Sequence, residues 1–287
     1  MRNTLLTILI CLVASITNAQ EKPAYRIFTA EGENVDYGTM LKAVSKADVV
    51  FIGETHNCPI AHWIEYEIIS DIADRHSKGL VIGAEMLETD NQLLVDEYVT
   101  GLISSDRFES EAKLWDNHYT DYAPVLYLAR EKGLRFIATN VPRRYASYVK
   151  DNGLEALNGL SDDAKALMAP LPIEYDESMQ DNGMFAFMNM MSGHDSQSHY
   201  AQAQALKDAT MAWFIAKNFD RRFIHINGNF HSDNNGGIIP YLNIYLPGKH
   251  IATVCCVRQE EISRLDKENQ YRADFIVCVP EEMTMTF

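Results

Sequence analysis

Short apolar, β-branched runs, each closed by a glycine or a polar residue, alternate with helical stretches along this 287-residue chain. The first is Ala47–Ile52, ending at Gly53, after which Pro59 suits the first turn of a helix extending to about His76. Leu80–Ala84 ends at Glu85, and one or two helices fill about 89–132. Leu134–Thr139 ends at Asn140, and Phe223–Asn227 ends at Gly228. Ile251–Val257 and Asp274–Val279 read as later strands. Strands alternating with helices imply parallel pairing, because a parallel neighbour is reached only through a crossover. The expected fold is α/β, a mostly parallel central sheet with helices on both faces, in one domain over residues 20–287. About 155–220 reads as a helical insertion. Weak helical patterns, Pro170, Pro172 and the Met-rich stretch Met179–Met191 suggest a lid over the sheet.

Residues 1–19 have the form of a secretory signal: Arg2, then apolar Leu5–Val13, then small residues at Thr17-Asn18-Ala19. The apolar run is shorter than the roughly 20 residues of a membrane span. The expected location is therefore outside the cytoplasm, in a periplasm or at a cell surface. Cys11 lies inside the apolar run with no small residue before it, which argues against a lipid anchor. A net charge of −15 argues against nucleic acid or an anionic membrane as partner, since both need a basic face. Cys58, Cys255, Cys256 and Cys278 match no zinc-ribbon or redox spacing. Cys255 and Cys278, in apolar runs, read as buried thiols.

Ligands of open α/β sheets collect beyond the carboxyl ends of the strands. Glu54, His56, Glu85, Asn140, Asn229 and His231 all fall at such ends. Two histidines and two carboxylates in one crevice can bind a divalent metal, act as general acid and base, or hold a larger cofactor. Singly, Glu54 or Glu85 would cap a helix or pair with an arginine. Several strand-end charges together are costly without a shared task. An internal echo strengthens the reading, since Gly53-Glu54-Thr55-His56 and Gly228-Asn229-Phe230-His231 are both Gly-x-x-His after an apolar strand. His62 follows His56 by six residues and joins the site only if loop and helix face one pocket. His225, in mid-strand, reads as a core histidine; His76, His118 and His250 read as surface or helix-end residues. On the helix reaching about Lys217, Tyr200, Gln204 and Asp208 recur every four residues as one polar stripe. Met184–Met191 is either core or a soft apolar wall for a flat ligand.

These motifs, with Gly83-Ala84-Glu85-Met86, Asn140-Val141-Pro142-Arg143 and Gln204-x-x-x-Asp208-x-x-Met211-Ala212, together resemble the ChaN family of haem-binding proteins. The resemblance covers about 40–256 and extends to the superfamily of Tiki metalloproteases, TraB proteins and erythromycin esterases. It implies haem as cofactor, a role in iron acquisition, a homodimer with two haems stacked face to face, and an outer-membrane uptake receptor as partner. It also implies a tyrosine on each iron, a ligand suited to the ferric ion. Tyr200 is the match and Tyr145 the alternative. Arg143 or Arg144 would meet a propionate, and His56, His62, His231 and Met191 would line the haem. The superfamily's proteases and esterases imply a rival, a metal-dependent hydrolase in which Glu54, His56, Glu85 and His231 hold a divalent ion or activate water.

Overall fold

A computed structural model describes residues 22–175 and 197–286. Eight strands form one sheet in the order β2-β1-β8-β7-β3-β6-β4-β5. Their ranges are β1 Arg26–Thr29, β2 Asn34–Val35, β3 Val49–Glu54, β4 Leu80–Glu88, β5 Arg135–Asn140, β6 Arg222–Gly228, β7 Ile251–Gln259 and β8 Phe275–Pro280. From β5 through to β8 every pairing is parallel. The edge hairpin β1–β2 runs antiparallel, with β1 along β8. The six longer strands stand within a few residues of the expected runs. The edge pair has only four and two residues, too few for a periodic signal.

Nine helices are described: α1 Tyr37–Val44, α2 Pro59–His76, α3 Gln92–Val99, α4 Ser105–Glu111, α5 Ala123–Lys132, α6 Arg143–Asn152, α7 Asp162–Lys165, α8 Gln197–Asn218 and α9 Ile238–Tyr245. They cover both faces of the sheet, and strand alternation says which residue meets which layer. Val50 and Ile52 of β3 and Ile82 and Ala84 of β4 pack with α1–α5. Val49, Phe51 and Val81 pack with α6, α8 and α9 on the opposite face. α2 begins with Pro59 at its first turn and buries Ala61, His62, Ile64, Glu65, Ile68, Ile69, Ile72 and Ala73, a stripe at helical spacing that includes two ionisable groups.

The expected insertion ends in α8, which packs on β5, α6 and α9. Ala205, Ala209 and Ala212 are fully buried there, and such small side chains let the helix lie close on the sheet. The Met-rich stretch falls in 176–196, outside the described residues, and so does Met191. All four described cysteines are buried and free. Among the described residues no helix is long and apolar enough to cross a membrane.

Candidate functional site

The carboxyl ends of β3, β6 and β4 stand side by side, and each delivers one acidic or histidine-bearing turn. β3 and β6 pair in register with Gly53 opposite Asn227 and Glu54 opposite Gly228. The two Gly-x-x-His segments therefore leave adjacent strands, offset by one residue. β4 runs past β5 through a register shift between Ala84 and Glu88, and Glu85 lies in that irregular stretch.

Strand parity divides the ionisable groups into two clusters. Glu54 has the parity of Val50 and Ile52 and faces the α2 layer. Its Oε1 lies 2.6 Å from His56 Nδ1 and accepts a hydrogen bond from the Tyr122 hydroxyl at 2.7 Å. Its Oε2 lies 2.9 Å from His62 Nδ1. His62 also reaches Glu65 Oε2 at 3.4 Å and, through Nε2, Asp121 Oδ2 at 3.3 Å. A π-helical turn over His118–Tyr122 places Asp121 and Tyr122 here, the kind of local irregularity that recurs at functional sites. Burial would raise the Glu54 pKa, but the hydrogen bond from His56 and the adjacent charge of His62 hold it down at about 2. Glu65, fully buried beside that charge, is pushed well up. Burial opposes charge on His62, yet Glu54 and Glu65 bring its pKa up to about 11.

Glu85 has the other parity and meets α8. Its Oε2 accepts the Gly228 backbone N–H at 2.8 Å, and its Oε1 lies 3.2 Å from His231 Nε2. Asp208 of α8 holds the other ring nitrogen, Nδ1, at 2.5 Å. Burial disfavours a charged His231, but the two carboxylates outweigh it and raise its pKa to about 10. The same imidazolium, against the cost of burial, holds Glu85 far below the carboxylate range. The clusters meet at His56, whose pKa is raised against its burial by the Glu54 hydrogen bond and by the charge of Glu85. Gly228 permits the meeting, because a Cβ there would stand 2.8 Å from His56 Cε1 and Nε2.

A half-open cleft of about 430 Å³ lies over this edge, lined by His56, Glu85, Glu88, Asn140, Arg143, Gln204, Lys207, Gly228 and His231 with Trp115, Val141 and Phe230. The His56 ring stands edge-on to Trp115 at 4.8 Å between centroids. Of the residues expected from sequence, His56, Glu85, Asn140, Arg143, Gln204 and His231 line the cleft, while Glu54 and His62 stand behind His56. Tyr200 is 43% exposed, with Lys150 Nζ over its ring. It lies one helical turn before Gln204 and is not among the lining residues. Tyr145 is half-buried beneath Arg144 and also stands off the lining. Arg144 pairs with Asp90 Oδ2 at 2.5 Å. Asn229 lines a neighbouring cleft of about 520 Å³ and donates from Nδ2 to the Cys256 carbonyl at 2.7 Å.

His225 is a core histidine, 2.8 Å from the Thr139 hydroxyl and 3.0 Å from Asn227 Oδ1. His118 corrects the surface reading. It is buried beside Phe108, and desolvation lowers its pKa to about 4. Its exposure could not be read from sequence because the π-turn that tucks it inward follows α4 without a periodic pattern. Sequence reasoning missed Glu65, Asp121, Tyr122, Trp115 and Lys207, and saw Asp208 only as part of a stripe. Glu65 carried one usable signal, its position among Ile64, Ile68 and Ile69 on the buried face of α2.

The fold and its strand-end cluster define an open α/β protein with an acidic and histidine-rich carboxyl edge. The chain belongs to the ChaN family of haem-binding uptake proteins of the Tiki superfamily, whose model matches residues 40–242. Among solved structures it is similar to a ChaN of Campylobacter jejuni described as binding haem cofacially. The TM-score is 0.67 at 15% identity, covering 91% of this chain and 98% of that one. It is also similar to a Bacillus cereus protein, with TM-score 0.46, 12% identity and coverage of 84% and 90%. An erythromycin esterase variant in its open conformation gives 0.45, 12%, 90% and 83%. No curated protein matches the chain.

Proposed function

We propose that this chain is an exported haem-binding protein of haem or iron uptake, taking ferric haem at the cleft beyond β3, β4 and β6. The observation that carries the proposal is the composition of the cleft in a chain of this family. Trp115, Val141 and Phe230 offer apolar contact, while Arg143 and Lys207 offer cations for two propionates. These residues fit the group. Bound haem would supply an iron centre whose behaviour is set by its axial ligand.

The chain's own residues would orient and cover the haem. Tyr200, exposed one turn outside the cleft, is the proposed phenolate ligand, with Tyr145 as the alternative. A ligand so far out suits haems shared between two copies of the chain, so a homodimer belongs to the proposal. An outer-membrane receptor would be the donor or acceptor of the haem. Hemin titrated into the purified protein is expected to give a Soret shift at stoichiometric ratio. Tyr200→Phe is expected to weaken it at least tenfold, and Arg143→Ala to weaken it less. A wild-type protein that leaves the hemin spectrum unchanged sinks the reading. An unchanged titration for Tyr200→Phe moves the ligand to another residue.

One observation favours a second reading. Asn140 Oδ1 and Gln204 Oε1, both of residues lining the cleft, are buried without a hydrogen-bond donor among the described residues. Haem offers few donors to meet them, and an amide-bearing ligand offers several. His56 and His231, each backed by a carboxylate on Nδ1, would then serve as the acid–base pair of a hydrolase. Loss of turnover on a panel of peptide and ester substrates in both His56→Ala and His231→Ala would support it. No turnover by the wild type on that panel removes it.

A further inference from the structure

Glu54, His62 and Glu65 each offer one ligand atom, these atoms lie within 4.8 Å of one another, and all three residues are buried. No other group of three or more such side chains converges this way among the described residues. The four residues expected from sequence to share a metal divide instead into the pairs Glu54–His56 and Glu85–His231. We propose that the Glu54–His62–Glu65 triangle is a binding site for a first-row divalent transition-metal ion, behind the cleft and separate from any haem.

Three observations carry this. The first is size. Ligand atoms about 2.1 Å from one ion stand about 3.0 Å apart in octahedral and about 3.4 Å apart in tetrahedral geometry. His62 Nδ1 lies 2.9 Å from Glu54 Oε2 and 3.4 Å from Glu65 Oε2. The second is unmet hydrogen-bonding capacity. Glu54 Oε2 and Glu65 Oε1 are buried without a hydrogen bond among the described residues; the 2.9 Å approach of His62 to Glu54 Oε2 falls outside hydrogen-bonding geometry. Buried carboxylate oxygens of this kind are costly unless a cation meets them. The third is the outer support. His62 Nε2 lies 3.3 Å from Asp121 Oδ2 and 3.2 Å from the His56 carbonyl. A metal-bound histidine characteristically donates its second N–H to such acceptors. The remaining Glu54 oxygen, Oε1, is already engaged by Tyr122 and His56. That leaves Oε2 for the ion.

One imidazole and two carboxylates are a borderline-to-hard donor set, suited to Zn²⁺, Mn²⁺ or Fe²⁺. The ion would fix Glu54, and through it the His56 ring at the cleft. It acts as a positioning element, so its test does not need haem or turnover.

The full-length protein, dialysed against chelator and then against Zn²⁺ or Mn²⁺, is expected to retain one equivalent by elemental analysis. His231→Gln should retain it as well. Glu65→Gln and His62→Gln should lose it, and Asp121→Asn should bind 10–100-fold more weakly. Because a buried substitution can unfold the chain, the wild type supplies a second measurement. An anomalous-scattering peak from a Zn²⁺-soaked crystal should lie within bonding distance of all three residues. No retained ion, an ion retained by folded Glu65→Gln but lost from His231→Gln, or a peak at the His56–His231 edge would each overturn the assignment. Failure of hemin binding alone leaves these results untouched, so the two proposals fail separately.

Discussion

His231 is a cation held between two carboxylates, and neither can be removed without consequence. Asp208→Asn keeps the shape of the side chain but takes away one charge. Breaking one side of a buried ion pair costs about 3–5 kcal/mol. The expected result is a urea midpoint lowered accordingly and a His231 pKa, read by NMR, well below the value of about 10 to which the two carboxylates together raise it. An unaltered pKa would mean that Glu85 alone holds the proton. Gly228 makes a different demand. With 2.8 Å between its would-be Cβ and the His56 ring, Gly228→Ala should displace His56 from Glu54 while leaving the fold intact. A crystal structure of the variant with the His56–Glu54 distance still near 2.6 Å would refute this. Glycine at 228 stood out in the sequence as the close of a strand and the start of a Gly-x-x-His segment. Its closer duty, making room for a ring from the neighbouring strand, depends on the β3–β6 register and could not be read from spacing.

Parity explains why the strand ends were legible and their partners were not. A run such as Val49–Ile52 announces a strand, and a glycine closing it announces an end, so Glu54, Glu85 and His231 could be placed on one rim from sequence. Which helix meets each carboxylate depends on the face the strand presents. Glu54 turns to α2 and meets Glu65, whereas Glu85 turns to α8 and meets Asp208. Nothing local distinguishes Glu65 from a solvated helix glutamate except its isoleucine neighbours, and Asp208 read as part of a stripe because the crossing of α8 over the sheet is a tertiary fact. Ala201, Ala203, Ala205, Ala209 and Ala212 share the buried face with larger side chains. Ala209 is fully buried against the sheet layer. Ala209→Leu should overpack the contact and cost about 1–3 kcal/mol, lifting α8 and weakening the Asp208–His231 bond. Thermal melts should show the loss, and a Tm equal to that of the wild type would mean that the layer has more slack than its small side chains imply.

The titration of the whole protein ties both clusters to stability. A histidine whose folded pKa is raised stabilises fully below its ordinary value of 6.5, and that stability is lost as pH climbs through the folded pKa. His231, at about 10, and His62, at about 11, both act this way. Cys58 opposes them. Its contact with the Cys256 thiol lowers its pKa from 9.0 to about 6, so its contribution grows as pH rises through that interval. Between pH 6.5 and 9 the balance in chelator-treated protein sets His231 and His62, together with His56 and Glu65, whose folded pKa values are also raised, against the one thiol. Each net proton corresponds to about 1.4 kcal/mol per pH unit. The urea midpoint of chelated protein is therefore expected to fall from pH 6.5 to 9, and to fall more steeply in Cys58→Ser. An ion on His62 Nδ1 removes that residue from the balance, and metal binding tightens as protons leave its ligands. Zn²⁺-loaded protein should then hold its midpoint level or gain over the same range. If chelated and loaded proteins decline in parallel, His62 titrates with the ion present and does not bind it; if the chelated protein gains stability instead, the histidines are not the charged groups this geometry makes them.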